Sequence, residues 1–141
     1  MVPELETIKQ NQGLVKELLV YLKEKLGYAH DPQIVFLVNK ENAANPLGKT
    51  AFYSPDEQKV SVYVSGRHFK DVARSLAHEL CHHAQNHSGM FENVETMEGY
   101  AQADEHLRKM EADAYLRGNM LFRDFEDQKK GQKGIEPEGD K

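Results

Sequence analysis

Apolar side chains recur at helical spacing in three stretches of the chain. Leu14, Leu18, Tyr21, Leu22 and Leu26 fall at steps of three and four, with Val15 and Leu19 widening the stripe. They predict an amphipathic helix within residues 3–26. Gly27 supplies its stop. Gly13 weakens its middle, so the helix can begin near that point. Phe69, Val72, Ala73, Leu76 and Leu80 mark a second helix from His68 to about His87, closed by Ser88 and Gly89. Glu111, Tyr115, Gly118, Phe122 and Phe125 share one face of a third, from about His106 to Asp127.

Between the first two helices the period changes. Residues 33–38 form a short β-rich run, and residues 50–53 and 59–64 are two further strand candidates. Val60, Val62 and Val64 alternate with Ser61, Tyr63 and Ser65, as on a half-buried strand. Residues 54–57, Ser-Pro-Asp-Glu, suit a hairpin turn. Residues 39–49 and 90–105 read as loops, and Gly66 breaks the chain before the second helix. Residues 129–141 carry too little apolar area to pack and predict a polar tail after a single domain of residues 1–128. Strands and helices are segregated along the chain, which predicts an α+β fold with one small three-stranded sheet.

Composition narrows the class without changing this layout. The chain has 141 residues, a net charge of −5 and a single cysteine. That length suits one domain. The negative balance argues against general nucleic-acid binding. One cysteine excludes an intrachain disulfide. No apolar run approaches the length of a membrane span, and residues 1–10 carry no apolar signal core. The expectation is a cytoplasmic protein with no membrane and no nucleic-acid partner.

The chemistry concentrates in the second helix. His78-Glu79-Leu80-Cys81-His82 reads H-E-x-x-H. Histidines four apart on a helix are offset by only about 40°, so both can reach one ion, and Glu79 can address a water on it. A catalytic zinc site takes three protein ligands and leaves one position open. A third histidine six residues beyond His82 is excluded, because Ser88 stands there and Gln85 replaces the intervening glycine. Glu111, 29 positions beyond His82, is the expected third ligand. It sits inside a helix, and Ala114 and Gly118 follow on nearly the same face, small enough to let that helix approach the histidines. Glu98, Asp104 and Asp113 are the competing carboxylates. His83 and His87 form a second i, i+4 pair, rotated about 140° from His78, and are expected to be solvated surface residues. Cys81 is expected to be a small core residue.

The motif His78-Glu79-Leu80-Cys81-His82 followed by Glu111-x-x-Ala114 resembles that of the gluzincins, zinc peptidases with a glutamate ligand on a downstream helix. The size and element order resemble the minigluzincins. Gly66-Arg67-His68, Arg74-Ser75-Leu76-Ala77, residues 111–115 and residues 118–124 are similar to small metallopeptidases encoded by tailed phages. The resemblance covers residues 47–127; the first 46 match only in pattern. It implies Zn2+ held by His78, His82 and Glu111, Glu79 as general base, and a peptide or protein substrate. The family strand before the active-site helix often pairs with extended substrate, which implies that role for residues 59–64. Larger gluzincins add a His or Tyr that steadies the oxyanion; here Tyr100, Tyr115 and His106 are the candidates, with Tyr115 expected to pack its helix. The alternatives are a latent or non-catalytic zinc-binding protein, with residues 129–141 lying across the cleft in the latent form, and another metal-dependent hydrolase.

Overall fold

The computed structural model describes residues 8–44, 50–88 and 100–134. Its elements are α1 (Gln12–Leu26), β1 (Gln33–Leu37), a short α2 (Lys40–Ala44), β2 (Ala51–Ser54), β3 (Lys59–Tyr63), α3 (Phe69–His87) and α4 (Tyr100–Gly134). The fold is α+β, helices against one three-stranded sheet. Among the described residues no helix is long and apolar enough to cross a membrane.

The helix α1 starts just before Gly13 and buries Val15, Leu18 and Leu22. Gly27 ends it in the left-handed region at φ 84°, its N–H bonded to the Lys23 carbonyl. The sheet order is β1-β3-β2, with β1 parallel and β2 antiparallel to β3. Residues 55–58 turn the chain between Ser54 and Lys59, which are paired. β3 is therefore central, hydrogen-bonded on both sides, and cannot be the strand that receives an extended peptide. Among the described residues the edge strand packed against α3 is β2. β3 is also more buried than half: Ser61 is enclosed along with Val60 and Val62, because its pairing partners Val35 and Phe52 flank it on the same face.

The helix α3 lays Val72, Ala73, Leu76, Ala77 and Leu80 into the core shared with the valines of β3 and the leucines of α1. Arg67 ties its start to the sheet. The guanidinium donates to the carbonyls of Thr50, Tyr63 and Asp71 and to the Ser75 hydroxyl.

The last helix is longer than expected at both ends. It begins at Tyr100, inside the stretch read as a loop, and runs through Gly134, past the expected tail boundary at residue 128. Lys129 pairs with Glu17 on α1. The lysines and glutamine of residues 128–130 are good helix formers, and the glycines nearby disguise that. The packed face of α4 is Met110, Ala114, Gly118, Phe122 and Phe125. Glu111 and Tyr115 stand beside that stripe, exposed on the α3 side. Residues 45–49, 89–99 and 135–141 lie outside the described residues, and with them Glu98 and most of the expected loop and tail.

Candidate metal centre

Helical spacing brings His78 and His82 together with ring centroids 5.1 Å apart and planes nearly perpendicular, 78°. The neighbouring helix supplies Glu111. Its Oε1 is 2.6 Å from His82 Nε2 and its Oε2 is 3.3 Å from His78 Nε2. One ligand atom from each residue lies within 4.8 Å of the other two. Close approach of α4 makes this possible. A Cβ on Gly118 would meet the His78 Cα at 3.0 Å and its N at 3.1 Å, so only glycine fits there without a shift. Ala114, one turn earlier, is fully buried.

The hydrogen bonds settle which nitrogen of His82 faces Glu111. Gln85 is buried, and its amide Nε2 donates to the Met110 carbonyl at 2.8 Å and to Asp113 Oδ2 at 3.0 Å. Both partners are acceptors, so the Gln85 Oε1 must be the atom 2.8 Å from His82 Nδ1. That Nδ1 therefore carries the proton, and Nε2 turns its lone pair to Glu111 when the ring is neutral. A lone pair and a carboxylate oxygen 2.6 Å apart repel unless positive charge lies between them, a second ring proton or a metal cation. Two imidazole nitrogens and one carboxylate oxygen are the donor set zinc takes. Tetrahedral zinc holds its ligand atoms about 3.3 Å apart, so the residues fit the ion with a small opening at His82.

The electrostatics agree with this donor set. Burial lowers the pKa of His78, with Glu111 opposing and His82 assisting, so its neutral, ligating form is favoured. Burial pushes Glu79 up to about 7, with His82 lowering it and Glu111 raising it. A bound cation would draw that carboxyl back toward its charged form. Burial also pushes the Cys81 thiol up to about 12, opposed by Arg117; it stays protonated in the core, as expected, and is no thiolate ligand.

Asp113 does not join this cluster. Burial raises its pKa, but hydrogen bonds from Gln85 and Arg117 outweigh that and hold it below the usual carboxylate range. Its carboxylate is occupied by Gln85 and by Arg117, whose Nη2 lies 2.9 Å from Oδ2.

No family model, curated protein or solved structure matches this chain.

A cleft passes over the centre, with β2 along one wall. Ala51, Glu79 and Glu111 line both of its limbs. Tyr115, expected to pack its helix, is 66% exposed; it faces the larger limb with its ring 6.2 Å from that of His78. His106 is half-buried and lines neither limb.

His83 departs from expectation. It is fully buried rather than solvated, because β2 and the segment after α1 cover that face of α3. Its Nε2 donates to the His30 carbonyl at 2.6 Å, so its Nδ1 accepts from the Tyr53 hydroxyl at 2.8 Å. His87, one turn on, is exposed as expected. Sequence reasoning assigned no role to Gln85 or Arg67. Gln85 lies on the polar side of α3 with His78 and His82, Arg67 just before the helix, and both needed long-range partners to be read.

Proposed function

We propose that the chain is a zinc-dependent peptidase of the gluzincin type, with His78, His82 and Glu111 as ligands and Glu79 as general base. The observation that carries this reading is the convergence of the three ligand atoms beneath a cleft that Glu79 also lines. When bound, zinc lowers the pKa of water to about 7 and polarises the scissile carbonyl.

The chain's own residues supply the rest. Gln85 holds His82 in the tautomer that directs Nε2 to the ligand position. The outer edge of β2, unpaired among the described residues, offers backbone groups to an extended peptide by strand addition. Glu79 takes a proton from the attacking water and delivers it to the leaving amine, as the new C–O bond forms and the C–N bond breaks. Tyr115, its ring 6.2 Å from that of His78, is the candidate donor to the developing oxyanion.

The test is Glu79→Gln. Both proteins should bind one zinc per chain by elemental analysis, while turnover of a fluorogenic peptide library falls by about 10²–10⁴ in the variant. A variant that cleaves as well as the parent would falsify the mechanism.

A further inference from the structure

The two limbs of the cleft differ in chemistry. The larger, about 720 Å³, is lined by Lys70, Arg74 and Arg123 among others. The smaller, about 430 Å³, is lined by Phe52, Leu107 and Met110 and has no lysine or arginine. Two of the cations are already engaged. Lys70 lies 3.5 Å from Glu126, and Arg74 lies 3.0 Å from Asp71 while stacking over Phe122. Arg123 is exposed and has no ion-pair partner among the described residues. Glu79 and Glu111 line the limb at the candidate metal centre; away from that centre its lining holds these three cations and one carboxylate, Glu126, while Asp71 pairs with Arg74 from outside it. The positive excess therefore lies at the end of the limb away from Glu79 and Glu111.

Its distance from the centre follows from helix geometry. α3 and α4 run antiparallel, with Gly118 against His78 and Glu126 against Lys70. Arg74 is one turn, about 6 Å, from His78 along α3. Arg123 lies about 7.5 Å beyond Gly118 along α4, and its side chain leans back toward the site. Extended peptide advances about 3.3 Å per residue, so these guanidiniums stand roughly two residues from the scissile bond. A guanidinium matches a carboxylate with a two-pronged fork.

We propose that this limb recognises a carboxylate. On the peptidase reading, the cleft takes peptides with an anionic group about two residues to one side of the cleaved bond and an apolar side chain on the other. That group is an Asp or Glu side chain, or the free C-terminus of the peptide.

Binding separates this proposal from catalysis. The zinc-loaded Glu79→Gln protein is titrated calorimetrically with matched peptides carrying Glu or Gln at the second position, each with a free and an amidated C-terminus. The Glu peptide should bind roughly five- to tenfold tighter than its Gln counterpart. The gap should shrink between roughly 0.05 and 0.5 M salt. Adding Arg123→Glu should abolish or reverse it. If the gap follows the free C-terminus instead, the terminus is the source of the carboxylate. Equal binding of all four peptides, no binding at millimolar concentration, or a gap unchanged by Arg123→Glu overturns the proposal. Turnover by the parent protein is scored separately. Charge discrimination without cleavage keeps the subsite and loses the peptidase, and cleavage without discrimination does the reverse.

Discussion

Gln85 shows how much can hang on one amide. Its side chain is 1% exposed, and every polar atom it carries has a partner. Gln85→Leu removes the acceptor for His82 Nδ1–H and takes the side-chain donors from the Met110 carbonyl and Asp113. Zinc affinity should fall 10–100-fold, measured against a competing chelator, because the imidazole loses the group that fixes its tautomer. In metal-free protein the ring 15N shifts of His82 should move from the Nδ1–H pattern toward a mixture. Unchanged affinity together with unchanged shifts would remove Gln85 from the site. The sequence carried His78, Glu79, His82 and Glu111 in its spacing. It could not carry Gln85 as an orienting group, whose partners lie 25 and 28 positions away. The burial of His83 was hidden for the same reason, since the covering groups are His30 and Tyr53.

Between elements the decisive contact is α3 against α4 at Gly118. An added methyl there meets backbone, which cannot swing aside as a side-chain tip could. Gly118→Ala should cost about 1–3 kcal/mol in chemical denaturation and weaken zinc binding, because α4 carries Glu111. Gly13→Ala, with nothing within 4 Å, should leave zinc binding alone and stabilise by up to about 1 kcal/mol. Equal effects of the two changes would mean that close approach of α4 is not what Gly118 provides. The small residues at Ala114 and Gly118 were legible as a close-packing face, and the three helices as periodic stripes. Strand order was not, because alternation along residues 59–64 is the same for an edge and a central strand. Pairing on both sides of β3 depends on where β1 lands, which no local pattern states. The ends of α4 were missed because Gly99 and the glycines after Lys130 outweighed the helix formers between them.

At the scale of the whole molecule, Tyr28 joins the end of α1 to α3, its ring 4.8 Å from that of His83. Burial, then Asp31 and Cys81, pushes its phenol up to about 12. In the unfolded chain it ionises near 10. Stability from this group is therefore complete below pH 10 and is lost as pH rises from about 10 to 12, because the unfolded state releases the proton first. Denaturation midpoints followed across that range should fall steeply for the parent and less steeply for Tyr28→Phe. Parallel curves would show that Tyr28 is not linked to global unfolding. β2 is four residues long, so a second copy of the chain could form few ladder bonds along it. The same brevity that protects the fold from end-on fibre growth keeps any guest loosely held. On the proposed peptidase reading, cleaved fragments would leave quickly, and discrimination among guests would fall to side chains rather than to backbone grip.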